Sequence, residues 1–288
     1  MDQQKPDTIL FIHGLYLTPR SWDPWMKRFQ ARGYRVVAPA WPGLEVEVEA
    51  LRRDPSPIAR QSVPEILAHY EKIIRGLARP PILIGHSFGG AFTQVLLGRG
   101  LGAAGVVLES GTVRGIPDLP FSTLKSSFPL LRNPLSRRKA IALTPEQFNY
   151  GFTNTFPKPE ARRAYEQYAI PGSRNVLLTG AFANINPNSP LRVDFRNDKR
   201  APLLFIAGGA DHVIPASVVR HMAQKYARST AITALREYPG RSHFTMIQAG
   251  WEELADYALS WAVELASVPA TTPVPDAIEE KVPEVSPL

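Results

Sequence analysis

Short apolar runs alternate along the chain with longer segments in which apolar residues recur every three to four positions. Continuous apolar runs predict strands buried on both faces, and the longer spacing predicts amphipathic helices. Strands are predicted at Thr8–Ile12, Tyr34–Ala38, Pro81–Ile84, Gly105–Leu108, Pro202–Ala207 and Ala231–Tyr238. Helices are predicted at Trp22–Arg32, Val63–Leu77, Phe88–Leu97, Ser217–Tyr226 and Gln248–Leu265. This order indicates an α/β fold, with a doubly wound, mostly parallel sheet of about six strands.

Residues 112–200 interrupt this alternation, because no buried strand is evident there. Helical stretches are predicted near Ser122–Leu131, Thr144–Asn154 and Pro159–Tyr168. The segment is too long for a loop, so we expect a mainly helical cap inserted into a core formed by residues 1–111 and 201–266. Residues 267–288 contain five prolines and four acidic residues, a composition that predicts a disordered tail.

Composition narrows the class of protein. With 288 residues, 44% hydrophobic and 20% charged, the chain is neither wholly disordered nor collagen-like nor a coiled coil. It has no cysteine, which excludes disulfides and a thiolate nucleophile. The polar N-terminus lacks the pattern of a signal peptide, and no apolar run approaches the ~20 residues of a membrane span. We therefore expect a cytoplasmic protein without a transmembrane segment.

The net charge of +7 is unevenly distributed, since residues 112–200 hold 14 basic and six acidic side chains. No motif typical of nucleic-acid binding accompanies this excess, so no nucleic-acid partner is expected. Two interpretations stay open. The cap has an ordinary solvated basic surface, or it attracts an anionic substrate or surface.

The strongest chemical signal is a Gly-x-Ser-x-Gly motif formed by Gly85, Ser87 and Gly89, between the third strand and a helix. A serine on such a sharp turn projects at the carboxyl ends of the strands, next to a helix N-terminus whose free N–H groups can face negative charge. Glycines on either side leave the turn the room that it needs. Ser87 is therefore predicted to be a nucleophile.

A serine hydroxyl needs a general base. His243 follows the last strand in a glycine-containing loop, comes after the serine in the chain, and is the predicted base. The other histidines receive other roles. Structural roles are expected for His13 and His86, and His212 is expected to orient its loop, with a second base as the alternative. His69 and His221 are expected at helix-surface or half-buried positions.

The histidine in turn needs an acid to orient its ring. Asp211 follows the fifth strand in a glycine-rich loop, although a helix N-cap would also explain it. Glu109, at the end of the fourth strand, is the alternative acid. The chain order serine, acid, histidine favours Asp211. For the oxyanion hole, the backbone N–H groups of Leu15 and Phe88 are predicted.

These motifs resemble those of the α/β-hydrolase superfamily. The matching features are His13-Gly14 after the first strand, Trp22 eight residues past Gly14, the Gly85–Gly90 turn, Gly208–Asp211 and Ser242-His243-Phe244. The resemblance implies an acyl-enzyme mechanism in which Ser87 attacks a carbonyl, His243 transfers the proton and Asp211 orients His243. It also implies that the inserted segment is the family's cap. Haloalkane dehalogenases and epoxide hydrolases are disfavoured, since their nucleophile is aspartate.

The expected function is hydrolysis of a carboxylic ester or lactone of a small to medium, partly apolar substrate. C–C bond hydrolysis, perhydrolysis, a cofactor-free lyase or oxygenase reaction, and a non-catalytic ligand receptor are the alternatives. No metal-ligand spacing and no dinucleotide fingerprint is present, so neither a metal nor a cofactor is expected. The sequence makes no prediction of oligomeric state.

Overall fold

The computed structural model describes residues 6–118 and 138–266, together with Ser122 and Lys125 in the interval. The helix predicted near Ser122–Leu131 lies almost entirely outside these residues, and the tail predicted for residues 267–288 lies wholly outside them.

The strands and helices of the described residues alternate through most of the chain. The strands are β1 (Thr8–Ile12), β2 (Arg35–Val37), β3 (Ile82–His86), β4 (Ala104–Leu108), β5 (Ala140–Ile141), β6 (Gly172–Ser173), β7 (Leu203–Gly208) and β8 (Thr233–Tyr238). The helices are α1 (Asp23–Gln30), α2 (Val48–Arg53), α3 (Ser56–Arg60), α4 (Val63–Arg75), α5 (Phe88–Gly98), α6 (Pro145–Phe152), α7 (Lys158–Tyr168), α8 (Arg174–Ala181), α9 (Ala216–Tyr226) and α10 (Trp251–Ala266).

Six strands form one sheet in the order β2-β1-β3-β4-β7-β8, and every pair is parallel. All residues of β1, β3, β4 and β7 are buried, so the middle of the sheet is covered on both faces. This arrangement confirms the predicted doubly wound sheet of about six strands. Its carboxyl edge carries the loops in which Ser87, Asp211 and His243 lie.

The helices pack on the sheet in two groups. In one, α1 and α10 are joined by stacked Trp25 and Trp251 rings, with centroids 6.5 Å apart, and by a bidentate Arg28–Asp256 pair. In the other, α5 and α9 meet where the Tyr226 hydroxyl donates to Gln94 Oε1 at 3.1 Å. The amphipathic helix predicted at Val63–Leu77 is present as α4, whose buried residues are Val63, Ile66, Leu67, Tyr70 and Ile74.

Between β4 and β7 the chain forms an inserted, mainly helical region that contains α6, α7 and α8. It also contains a small separate ribbon that the sequence does not predict, in which β5 and β6 pair antiparallel. Each of these strands is only two residues long, which is too short to carry a period-two pattern. Their pairing depends on a contact between residues about thirty positions apart.

Three short helices were also missed: α2, α3 and α8. The first two span six and five residues in a segment that contains Pro55 and Pro57, so they lie below the length at which helical spacing becomes visible. The last predicted helix begins three residues late, at Trp251, because a 3₁₀ turn occupies Thr245–Ile247 and Gly250 has φ 77°. Among the described residues, no helix combines the length and the apolar character that crossing a bilayer requires.

Candidate active site

Ser87 lies at a sharp turn between β3 and α5. Its backbone has φ 54° and ψ −121°, a conformation that residues with a side chain rarely adopt. Hydrogen bonds to the end of β4 hold it there. The Ser87 N–H donates to the Leu108 carbonyl at 3.0 Å, and the Ser87 carbonyl accepts from the Gly111 N–H at 2.7 Å. The strained conformation is thus held by backbone hydrogen bonds to the last residue of β4 and to the loop that follows it.

The two glycines of the motif are required by close backbone approach. A Cβ on Gly85 would collide with the carbonyl oxygen of Gly89, and a Cβ on Gly89 would collide with the carbonyl oxygen of Ile12. Neither obstacle is the flexible end of a side chain. The strand, the turn and the start of α5 can therefore pack this tightly only with glycine at both positions.

The structure brings Ser87, His243 and Asp211 together in one hydrogen-bonded chain. His243 Nε2 lies 3.0 Å from Ser87 Oγ, and His243 Nδ1 lies 2.7 Å from Asp211 Oδ2. All three residues are buried. A neutral imidazole that donates from Nδ1 to the carboxylate leaves Nε2 free to accept the serine proton. The arrangement can therefore increase the nucleophilicity of the hydroxyl.

Asp211 is held by its own loop. Its Oδ1 accepts the N–H groups of Val213 at 2.6 Å and Ile214 at 3.0 Å, which leaves Oδ2 for His243. The N-cap-like contacts considered for this residue are therefore present beside the histidine contact, on the other carboxylate oxygen. The loop itself is tied to the histidine loop, since the Ala210 N–H donates to the Arg241 carbonyl at 3.0 Å.

The loop that carries His243 is fixed by contacts with the end of β3 and with the inserted region. The His243 carbonyl accepts from His86 Nε2 at 2.7 Å. The Phe244 N–H donates to the Phe152 carbonyl at 2.9 Å, and the Phe152 ring meets the His243 ring edge-on at 4.9 Å. Because Phe152 ends α6, the inserted region contributes directly to the orientation of His243.

Glu109, the alternative acid, is not hydrogen-bonded to His243. It is fully buried at φ 42°, and neither carboxylate oxygen has a hydrogen-bond partner among the described residues. Burial, reinforced by the nearby charge of Asp211 and opposed by that of Arg241, raises the pKa of Glu109 well above its ordinary value. Burial therefore favours the uncharged form of the Glu109 carboxyl group.

The remaining histidines make other contacts. Burial lowers the pKa of His13 to about 4, and the neutral ring donates from Nδ1 to the Gly14 carbonyl at 3.0 Å while Nε2 accepts from Trp41 N. Burial also lowers the pKa of His86 well below its ordinary value. His212 Nδ1 lies 2.9 Å from the Tyr150 carbonyl, and half-buried His221 pairs with Asp118.

A narrow cavity opens above Ser87. It is lined by Leu15, Tyr16, Ser87, Phe88, Leu143, Gln147, Gly151, Phe152, Leu177 and Val213. Leu15 and Phe88, whose backbone N–H groups were predicted for the oxyanion hole, thus lie at the cavity beside the serine. Neither N–H has an internal acceptor among the described residues, so both remain available to a substrate oxygen.

Seven of the ten lining residues were not among the predicted site residues, and Tyr16 and Phe152 are two of these seven. Tyr16 directly follows Leu15 in the sequence, and that adjacency is the only local signal for it. Phe152 carried no such signal, because its place beside His243 depends on how α6 packs against the core. In the part of the chain that the structure describes, no group of three or more His, Asp or Glu side chains is placed to hold a metal ion.

Comparison with known proteins adds to this geometry. A sequence model described as the alpha/beta hydrolase family matches residues 9–257. A comparison with curated protein sequences finds no significant match.

Solved structures of several enzymes share the fold. The monoacylglycerol lipase of Paleococcus ferrophilus is 18% identical, with a TM-score of 0.62 over 90% of this chain and 96% of that one. A pyrethroid hydrolase from Sphingobium faniae JZ-2 is 21% identical, with a TM-score of 0.60 over 88% and 96%. Tomato methylketone synthase I complexed with 2-tridecanone is 14% identical, with a TM-score of 0.66 over 90% and 99%. At these identities the likeness shows the fold alone.

Proposed function

Because the chain belongs to the alpha/beta hydrolase family, we propose that it is a serine hydrolase that cleaves a carboxylic ester or lactone through an acyl-enzyme. The observation that carries the proposal is the chain of hydrogen bonds from Ser87 Oγ to His243 Nε2, at 3.0 Å, and from His243 Nδ1 to Asp211 Oδ2, at 2.7 Å. A base within hydrogen-bond reach of the nucleophile, oriented by a third group, is the arrangement that acyl transfer needs.

In the proposed reaction, Ser87 Oγ attacks the ester carbonyl carbon while its proton moves to His243 Nε2. Asp211 keeps the ring in the correct tautomer and stabilises the imidazolium that forms. The tetrahedral intermediate collapses when the C–O bond to the alcohol breaks and the alcohol oxygen takes the proton from His243. Water then attacks the acyl-enzyme by the same route, which releases the acid and restores the Ser87 hydroxyl.

The oxyanion of both tetrahedral intermediates is assigned to the N–H groups of Leu15 and Phe88. Each belongs to a residue at the cavity, and neither has another acceptor among the described residues. Phe88 is also the first residue of α5, where the helix dipole adds to the stabilisation of negative charge. Removal of one such donor typically costs about 3–4 kcal/mol in the transition state.

The cavity supports a small to medium, partly apolar substrate. Most of its lining is apolar, with Leu143, Phe152, Leu177 and Val213 contributed by the insertion and the acid loop. We propose further that residues 112–200 act as the cap that covers this cavity. The carbon of the substrate's reacting carbonyl would lie next to Ser87 Oγ, and its oxygen would face the N–H group of Phe88 at the start of α5.

A negatively charged substrate is the finer hypothesis. Arg174, in the inserted region, is 2% exposed, and its Nε and Nη2 have no hydrogen-bond partner among the described residues. It lies one helical turn before Leu177, which lines the cavity. A buried guanidinium that pairs with no acid of the described chain favours an anionic ligand, since its planar donors match a carboxylate.

The experiment is a panel of short-chain esters, long-chain esters and lactones, run with the wild type and with Ser87→Ala. We expect turnover of at least one ester class and a loss of at least about 10⁴-fold in kcat for Ser87→Ala, because the nucleophile is removed. Ser217→Ala, which changes an exposed serine at the start of α9, is the matched control and should keep full activity.

The panel also separates the alternatives. Labelling of Ser87 by a fluorophosphonate without turnover of any ester would favour another reaction of the same three residues, such as C–C bond hydrolysis. Turnover in Ser87→Ala at the wild-type rate would contradict the proposal altogether. Ligand binding that Ser87→Ala leaves unchanged, with neither labelling nor turnover, would instead support a non-catalytic receptor.

A further inference from the structure

The cavity above Ser87 contains few polar side chains. Besides Ser87, the polar residues among its described lining are Tyr16 and Gln147. The Gln147 carbonyl oxygen already accepts the Thr144 N–H at 2.9 Å, in the capping box that begins α6. Gln147 therefore offers the cavity its NH₂ donors. Among the described residues that line the cavity, none carries a carboxylate.

The Tyr16 ring is held rigidly. Its backbone has φ 69°, which is unusual for a residue with a bulky side chain, and its carbonyl accepts the Ile170 N–H at 2.9 Å. A Cβ on Gly172 would lie 2.7 Å from Tyr16 Cζ, so the strand β6 packs directly against the ring. On another side the ring meets Phe152 edge-on, with centroids 6.0 Å apart. The hydroxyl is therefore fixed in place before any substrate binds.

This fixed hydroxyl has no partner among the described residues. Tyr16 is 6% exposed, and its hydroxyl oxygen is buried without a hydrogen bond. Burying an unpaired hydroxyl costs free energy, so such a group in a cavity calls for a ligand or another explanation. Burial also raises the pKa of Tyr16 well above its ordinary value, which keeps the O–H available as a donor.

We propose that Tyr16 is a specificity-determining residue whose hydroxyl donates a hydrogen bond to a second acceptor oxygen of the substrate. The enzyme should then prefer esters that carry a keto or ether oxygen near the scissile group over hydrocarbon esters of the same size. The inference rests on the proposed function, because it names the substrate class of the same cavity. A site built to satisfy a buried donor discriminates against an analogue that leaves the donor unpaired.

The test compares Tyr16→Phe with the wild type on three matched ester pairs. They are ethyl acetoacetate with ethyl butanoate, ethyl levulinate with ethyl pentanoate, and methoxyethyl acetate with butyl acetate. In each pair the ratio of kcat/KM for the oxygenated ester to that for the hydrocarbon ester is measured in both proteins. Comparing this ratio between the proteins cancels the intrinsic reactivity of the esters, since only the hydroxyl differs.

In at least one pair we expect the ratio to fall about tenfold in Tyr16→Phe, the size of one net hydrogen bond, with the hydrocarbon ester unaffected. Tyr70→Phe is the control, because it removes another buried hydroxyl, which donates to the Pro39 carbonyl at 2.8 Å outside the cavity. It should leave all three ratios unchanged.

Unchanged ratios in all three pairs would overturn the proposal. An equal loss on both members of every pair would overturn it too, because the hydroxyl would then act on the reacting carbonyl or on the fold. If the wild type cleaves no ester, the proposed function fails separately. The inference is then decided by labelling: the oxygenated esters should slow fluorophosphonate labelling of the wild type more than that of Tyr16→Phe, and equal slowing would overturn it.

Discussion

The turn at Ser87 is enclosed by backbone, whereas the inserted region meets the core through separate hydrogen bonds. At the turn, carbonyl oxygens of neighbouring segments leave no room for a side chain on Gly85 or Gly89. Hydrogen bonds join the inserted region to the core. Among them, the Phe244 N–H donates to the Phe152 carbonyl, and Asn154 Nδ2 donates to the Ala210 carbonyl at 2.9 Å. The turn thus depends on close backbone packing, while the cavity is lined by side chains that can be replaced one at a time.

This difference suggests a division of labour. Substitutions at the turn and its hydrogen-bonded partners should change the rate for every substrate. Substitutions of cavity-lining side chains in the inserted region, other than Phe152 beside His243, should change which substrates are preferred. The experiments below test that division in order of decreasing expected effect.

The largest effect is expected from the acid that contacts the histidine. Asp211→Asn should lower kcat about 10⁴-fold, because an amide at this position favours the wrong tautomer of His243. Glu109→Gln is the matched control at the alternative acid, and it should keep kcat within about threefold, since the amide replaces an uncharged carboxyl. Steady-state kinetics on one ester decide the matter. A loss in Glu109→Gln as large as that in Asp211→Asn would contradict the assignment.

The next effect concerns the enclosed turn itself. Gly89→Ala should destabilise the protein by about 3 kcal/mol or more and lower activity for all esters, because the new Cβ meets the Ile12 carbonyl oxygen. Gly98→Ala, at the end of the same helix, is the control. A Cβ there meets no heavy atom within 4 Å, so we expect unchanged or slightly greater stability. Denaturant unfolding measures both, and equal stability of the two variants would show that the turn tolerates a side chain.

Glu109 should make the free energy of unfolding depend on pH. Its pKa is raised in the folded protein, so the unfolded chain loses this proton at a lower pH than the folded one. The contribution of Glu109 to the free energy of unfolding is fully present below the ordinary glutamate pKa. It declines by about 1.4 kcal/mol per pH unit as the pH rises toward the pKa of Glu109 in the folded protein. The free energy of unfolding of Glu109→Gln relative to the wild type should therefore increase between pH 5 and pH 8. A difference that is constant with pH would contradict a neutral Glu109.

The smallest effect is expected in the inserted region. Arg174→Met should raise KM about tenfold for an ester with a free carboxylate and leave its neutral methyl ester unchanged, because a charge-assisted hydrogen bond is lost. Added salt should also weaken the preference of the wild type for the ester with the free carboxylate over the methyl ester. Arg163→Met, on the exposed side of α7, is the control and should change neither KM. Equal changes in KM for both esters would show that Arg174 has a structural role.

Sequence and structure agree best where a local pattern carries the information. The apolar positions of β1, β3, β4 and β7 predicted the parallel sheet, and the glycines around Ser87 predicted its turn. Asp211 and His243 could be singled out because each follows a strand whose carboxyl end reaches the same edge of the sheet. Their catalytic role remains a prediction.

The cavity could not be predicted in the same way. Phe152 reaches His243 only through the packing of α6, and Tyr16 is enclosed by Gly172, more than one hundred and fifty residues later. The ribbon of β5 and β6 likewise depends on one long-range pairing. Such contacts join segments that have no shared periodicity, so the sequence alone contains no local signal for them.

The most direct measurement is to map the site of covalent modification after reaction with a fluorophosphonate, by mass spectrometry of peptides. We expect one adduct, on Ser87, formed at the same rate in Ser217→Ala and abolished in Ser87→Ala. We also expect His243→Ala to slow the labelling by several orders of magnitude, because the base that accepts the serine proton is gone. An adduct on another residue, or labelling of Ser87→Ala at the wild-type rate, would contradict the claim that Ser87 is the nucleophile.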